Sequence, residues 1–341
     1  MEVYVGLDLS RKRLDWQAVD ARRRPLAEGA VPPDRDGLAR LVLQVAAPAV
    51  AVIESMNGAR FVHDQLELAG WEVKIANAER VKGLAPLACK TDRIDARVLA
   101  ELGALDLVPE IWLPDPGVRA ERELARFRIH LVKQRTMLKN RIHQSLIAHG
   151  VPCPVSDLFG VRGQDLLDRA ELPVAWRAST DASLRLIEHL ERELDACERE
   201  LRRQNLDHPY VPLLVTAPGI GPILGYTIAS ELGDIGRFAT PAKLVGYTGL
   251  CPRVYQSGER DRRGRLAKNG PAYLRWALIE AAQHAGRSVY YRDLYQRTRQ
   301  RAGRQRGASI AAVTVARKLA EAIWWMLTRK QRFAPAGATA L

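Results

Sequence analysis

Asp8, Glu54, Asp92 and Asp95 stand in the first third of a 341-residue chain, each where a predicted strand ends or a predicted helix begins. Hard cations such as Mg²⁺ take oxygen ligands, typically one or two carboxylates together with substrate phosphates. Two metals in one site stabilise both the attacking and the leaving oxygen of an in-line displacement. If the four acids converge on one ion or a metal pair, the chemistry they support is the cutting or joining of a phosphodiester backbone. A second candidate is Ser257, followed by Gly258 in a strongly positive stretch read as a flexible loop. That setting suits a side chain that must approach a scissile phosphate. A serine hydroxyl needs a base, a lowered pKa or a metal to become a nucleophile. No Ser-His-Asp spacing surrounds Ser257, so its activation must come from elsewhere in the assembly.

The elements around the acids have consistent patterns. Residues 1–9 alternate and are β-branched enough for a strand with Asp8 near its end, and residues 14–19 and 25–31 follow as hairpin partners. Residues 49–53 form a short apolar run that stops on Glu54 and gives way to a helix over 59–69, and 72–76 is a further strand. The segment from Lys90 to Arg97 opens a helix with Thr91 as a candidate N-cap. Asp92 and Asp95, three residues apart, share a helical face at its positive end. Each acid alone could be a turn or cap residue, but an ordinary surface acid has no reason to end an apolar strand.

Length and a hydrophobic fraction of 47% fit two or three cores. The chain lacks a long uninterrupted apolar run and a signal-peptide pattern, which predicts a cytoplasmic protein with no membrane partner. Cys89, Cys153, Cys197 and Cys251 are scattered without a Cys-x-x-Cys pair, which argues against structural zinc and a disulfide framework. The net charge of +13 lies in the last third: residues 210–341 hold 21 Lys and Arg against 7 Asp and Glu. Arg253, Arg260, Arg262, Arg263, Arg265 and Lys268 begin this cluster, which continues through Arg287 to Arg306. Such clustering is the footprint of a polyanion, most often nucleic acid, against the plainer reading of a solvated basic face. The predominance of arginine favours bidentate phosphate contacts.

Residues 116–149 repeat Leu124, Leu131 and Leu138 at heptad spacing with basic flanks. Residues 181–205 carry Ile187, Leu190, Leu194, Cys197 and Leu201 with acidic flanks. The pair predicts an antiparallel or intermolecular coiled coil, hence dimerisation, with plain intrachain packing as the alternative. Residues 150–173, rich in Pro and Gly, separate the two helices. Beyond residue 209, Leu213 to Pro222 places a Gly-rich turn between two apolar segments. This has the look of a helix-hairpin-helix, in which backbone N–H groups near Gly219 and Gly221 receive a DNA phosphate; a hairpin used only for packing is the alternative. A helix is expected over 271–285. The predicted divisions are 1–112 (metal-binding), 113–209 (coiled coil), 210–330 (C-terminal domain) and a flexible tail over 331–341.

Taken in order, Gly6-Leu7-Asp8-Leu9-Ser10, Ile53-Glu54-Ser55 with Gly58, and Lys90-Thr91-Asp92-Arg93-Ile94-Asp95-Ala96 resemble the acidic motifs of the IS-one-ten insertion-sequence transposases. These are DEDD recombinases related to Piv-type DNA invertases. Pro218-Gly219-Ile220-Gly221, Gly249-Leu250-Cys251-Pro252-Arg253 and Ser257-Gly258 resemble their C-terminal transposase domain, so the likeness spans nearly the whole chain. It implies an α/β N-terminal domain of RuvC-like RNase H fold, a helical coiled-coil middle and a mainly helical C-terminal domain. It implies Mg²⁺, with Mn²⁺ as a substitute, on Asp8, Glu54, Asp92 and Asp95, and Ser257 as a nucleophile forming a transient 5′-phosphoserine link. It further implies a noncoding bridge RNA that pairs with donor and target DNA, with sequence choice delegated to base pairing. Dimers would assemble into a tetramer whose composite site joins the acidic domain of one subunit to the serine domain of another.

The mechanism expected from these readings is strand exchange by transesterification, with the metal activating the phosphate and Ser257 and with Arg253 and Arg260 stabilising the pentavalent charge. A phosphoserine link conserves the bond, and no Walker pattern is present to supply ATP. Rival readings are a RuvC-class junction nuclease using water, a Piv-type invertase, a tyrosine recombinase using Tyr255 or Tyr247, and a non-catalytic nucleic-acid scaffold.

Overall fold

The computed structural model describes residues 2–45, 48–84, 92–257 and 260–334, with backbone only for Asp92 and for the described part of 254–263. Chain contacts divide it into two compact units, Met1–Leu113 and Pro114–Leu341.

The first unit is a five-stranded sheet with helices on both faces. Its strands are β1 (Val3–Leu9), β2 (Leu14–Asp20), β3 (Pro25–Val31), β4 (Ala49–Glu54) and β5 (Glu72–Ala76), in the order β3-β2-β1-β4-β5. β1, β2 and β3 are an antiparallel meander, while β1, β4 and β5 run parallel. This mixed α/β sheet is compatible with the RuvC-like expectation. Period-2 alternation explains the layers. Val5, Leu7, Ala51 and Ile53 turn to one core with helices α1 (Arg35–Val45) and α2 (Ala59–Leu68). The opposite face takes helix α4 (Asp92–Ala104), whose Leu99 and Leu102 pack with Val52 and Ala76; α3 (Ala78–Leu84) adds Val81 to that core.

Small residues set how closely α4 approaches. Ala96, Ala100 and Gly103 form an i, i+4, i+7 stripe, and a Cβ placed on Gly6 would lie 1.8 Å from the Ala96 carbonyl oxygen and 2.5 Å from the Ala100 nitrogen. Only glycine lets the strand and helix backbones meet there. Gly6→Val is therefore expected to push α4 off the sheet and cost about 1–3 kcal/mol or more. Urea denaturation checks this, and an unchanged midpoint would contradict the close approach.

The second unit is helical apart from one hairpin. Helices α5 (Pro116–Ala148) and α7 (Val174–Asp207) lie antiparallel, as Arg128–Glu198 and Arg135–Glu191 cross from one to the other with descending partner numbers. The predicted coiled coil is thus an intrachain pair. The stretch read only as a break holds α6 (Val161–Arg169), which seals a small core between Ile142 and Ile187. Leu131, Leu194 and Leu201 share one core with the C-terminal helices, so the middle helices and the following segment form one body. Those helices are α8 (Val211–Leu214), α9 (Pro222–Leu232), α10 (Pro241–Tyr247), α11 (Ala272–Ala285), α12 (Arg292–Ala302) and α13 (Gly307–Arg329). Strands β6 (Pro252–Ser257) and β7 (Arg260–Leu266) make the antiparallel hairpin between α10 and α11. Among the described residues no helix is long and apolar enough to cross a membrane.

Candidate active site

Strand register places the first two acids side by side. Leu7 pairs with Ile53 across parallel strands β1 and β4, so Asp8 and Glu54 are the next residues of neighbouring strands, spaced about 4.8 Å in the pairing direction. Both share the parity of Gly6 and Val52 and so belong to the face that α4 covers. α4 runs opposite to β1, because Ala96 lies over Gly6 while Gly103 lies over Tyr4 and Val52. One helical turn back from Ala96 is about 5.4 Å, and two strand residues on from Gly6 are about 6.6 Å. The first turn of α4, with Asp92 and Asp95, is therefore level with the strand end bearing Asp8.

Arg93 in that turn pairs with Glu28 of β3, tying the helix start to the sheet. Asp8, Glu54 and Asp95 are half-buried. Among the described residues no group of three or more His, Cys, Asp or Glu is gathered closely enough to hold a metal. The Asp92 side chain and Thr91, the predicted N-cap, lie outside the described residues. The donor chemistry nonetheless suits a hard divalent cation, since two adjacent carboxylates plus substrate phosphate oxygens make a typical Mg²⁺ set.

A further acid, Asp15, belongs to this row and was not anticipated. It lies directly opposite Asp8 in the β1–β2 register and is only 7% exposed. Directly opposed like charges destabilise a sheet. Arg13 offsets this with a fork, its Nε and Nη2 each donating at 2.8 Å to the two Asp15 oxygens. The strand pattern Leu14-Asp15-Trp16-Gln17-Ala18 held the signal, because it sets Asp15 opposite the apolar face just as β1 does for Asp8.

Ser257 is the last residue of β6 and pairs with Arg260, so it ends a strand at the tip of a hairpin rather than lying in a loose loop. Gly258 and the side chains of Ser257, Tyr255, Arg260, Arg262 and Arg263 lie outside the described residues. Arg253, Arg265 and Lys268 are exposed on or beside this hairpin. Tyr247 is occupied structurally: its ring lies 5.2 Å from that of Phe238, with the Arg237 guanidinium 4.2 Å above it. Its hydroxyl donates to the Glu231 carbonyl at 3.5 Å. Cys197 is buried, and that burial pushes its thiol pKa up.

The predicted helix-hairpin-helix has a first helix of one turn, α8, followed by α9. Gly219 has φ +80°, and a Cβ there would lie 2.2 Å from the Ala281 carbonyl oxygen, so packing on α11 by itself requires glycine. Gly221 is exposed at the start of α9 with open space beside it.

Two stretches of the chain match known protein families. Residues 5–149 match the DEDD transposase family of the IS110 type, and residues 211–296 match the transposase family IS116/IS110/IS902. The chain is 26% identical to a probable family 20 transposase of Pseudomonas aeruginosa over 97% of its own length and 98% of the relative's. It is 27% identical to the transposase for insertion sequence element IS1328 of Yersinia enterocolitica, over 83% and 84% of the two chains. A pilin gene-inverting protein of Moraxella bovis is 28% identical over 57% of this chain and 52% of its own. An acid-bearing domain followed by a basic helical domain, each matched in order, makes the chain similar over most of its length to insertion-sequence transposases of the IS116/IS110/IS902 type, whose DEDD domain is of a kind that uses a divalent metal.

Proposed function

We propose that this chain is a transposase that exchanges DNA strands by Mg²⁺-dependent transesterification through Ser257. The observation that carries the reading is the meeting of Asp8, Glu54 and the first turn of α4 at one end of one sheet face. Asp8, Glu54, Asp92 and Asp95 would hold the metal, which supplies positive charge at the scissile phosphate. Mn²⁺ would serve in its place.

The bond changes balance without an outside energy source. The Ser257 Oγ gives up its proton and bonds to phosphorus, the bond from phosphorus to the 3′ oxygen breaks, and that oxygen leaves as a protonated 3′ hydroxyl. One phosphodiester is exchanged for another, so the 5′-phosphoserine link retains what rejoining needs. Arg253 and Arg260 are assigned to the negative charge that builds on the phosphoryl oxygens. Exposed Arg265 and Lys268, with Arg262 and Arg263 and the backbone N–H groups near Gly219 and Gly221, are assigned to the DNA and RNA backbones. A noncoding bridge RNA would pair with donor and target DNA, and dimers joining into a tetramer would bring the acids of one copy to the serine of another.

Strand cleavage of plasmid DNA carrying the element's end, with its RNA and Mg²⁺ present, tests this reading. Ser257→Ala is expected to abolish cleavage while Tyr247→Phe and Tyr255→Phe retain it. Full cleavage by Ser257→Ala would transfer the reaction to water and a junction-nuclease mechanism.

A further inference from the structure

Within the second unit, helices α11, α12 and α13 enclose an open groove of about 740 Å³. That is within the range of roughly 300–1,000 Å³ usual for small-ligand sites. The sequence builds it from one stripe of each helix. Arg292, Gln296 and Arg299, spaced i, i+4, i+7, form the α12 wall, while buried Thr298 and half-buried Tyr291 and Leu294 hold that helix to the core. A Cβ on Gly307 would lie 2.4 Å from the Arg299 carbonyl oxygen, so α13 starts hard against the end of α12.

The chemistry of the lining is mixed. Ile279 and Val313 supply an apolar floor, and the Tyr295 ring rests on Gly286, where a Cβ would come within 2.7 Å of it. Gln283 and Gln296 are exposed amides, each able to donate and accept. Arg287 and Arg299 form no ion pair with a carboxylate among the described residues, whereas Arg292 lies 3.8 Å from Asp293. Surplus guanidiniums fit phosphates bidentately. The surface of a duplex would meet those arginines but leave the floor, ring and amides unused. A base freed from pairing has both a π face for an aromatic ring and a free edge for amides.

We propose that this groove holds one unpaired nucleotide of a single nucleic-acid strand, phosphates on Arg287 and Arg299, base against Tyr295 and the Gln283 and Gln296 amides. The assignment rests on the nucleic-acid reading above. It concerns binding of a strand, not the phosphate that is cut.

Fluorescence anisotropy with the full chain tests it, using labelled single-stranded DNA, single-stranded RNA of the same sequence and duplex DNA. Arg287→Ala with Arg299→Ala is expected to weaken single-strand binding about tenfold or more and duplex binding by less than about threefold. Gln283→Ala with Gln296→Ala removes no charge; it is expected to weaken single strands about threefold or more with an unchanged salt slope. Whichever strand type binds tighter and loses more identifies the source of the nucleotide. Equal losses on duplex and single strands, or no loss in either double variant, would overturn the proposal. Asp8→Asn separates the two readings: it should keep groove-dependent strand binding while losing cleavage. Cleavage that survives alongside intact groove binding would sink the metal reading and leave the groove assignment standing.

Discussion

Asp8→Asn is expected to lower DNA strand cleavage on the order of 10³-fold, the scale of loss when one preorganised electrostatic group leaves a site of charge development. The substitution keeps the shape of the side chain at the end of β1 and removes its charge. Asp8 faces Asp15 across the β1–β2 register and stands next to Glu54 across β1–β4. Three acids side by side repel one another, and Arg13 forks onto the Asp15 carboxylate. The thermal midpoint of Asp8→Asn should therefore stay level or rise while activity falls. That opposition is the signature of residues kept for chemistry at the expense of stability. A drop in midpoint matching the drop in cleavage would instead make Asp8 a structural residue.

The largest loss of stability is expected at Glu231, at the end of α9. Its side chain is 0% exposed and accepts from Arg126 Nε at 2.6 Å and Nη2 at 3.0 Å. Arg122 donates to the carbonyls of Ser230 and Glu231, capping the helix end where carbonyls lack partners. The carboxylate holds the Arg126 pKa above its ordinary value, chiefly through that hydrogen-bonded fork. Removing one partner of a buried pair strands the other charge, at about 3–5 kcal/mol. Arg126 is 38% exposed and can turn partly to water, whereas Arg122, 4.0 Å from the carboxylate and 11% exposed, cannot, so Glu231→Ala should fall within that range. Urea denaturation followed by circular dichroism measures it. A change under about 1 kcal/mol would mean that the α5–α9 contact contributes little to the second unit.

The acidic half of the candidate site was legible because alternation and strand ends are local signals. β1 and β4 announce their buried faces, and Asp8 and Glu54 interrupt them at the strand ends. Asp15 was passed over because a polar residue inside an alternating strand reads as the solvent side, and only the packing of α4 shows that both faces are covered. The heptads of α5 and α7 were legible as a pair, but period alone does not say whether the partner helix is in the same chain. Ion pairs such as Arg128–Glu198 settle that point, and they depend on the tertiary fold. β7, Arg260 to Leu266, carries four arginines and no apolar alternation. Its strand character comes from backbone pairing with β6, which explains why Ser257 read as a loop residue. The Arg126–Glu231 contact joins residues more than a hundred positions apart, a distance over which no local pattern operates.

The most direct measurement is to trap the protein–DNA adduct in Mg²⁺ on DNA bearing the element's end, digest it, and find the linked residue by mass spectrometry. A phosphodiester to the peptide carrying Ser257, absent from Asp8→Asn and Glu54→Gln, is the predicted result. Linkage to Tyr247, Tyr255 or any other side chain, or efficient cleavage with no covalent species, would contradict the account.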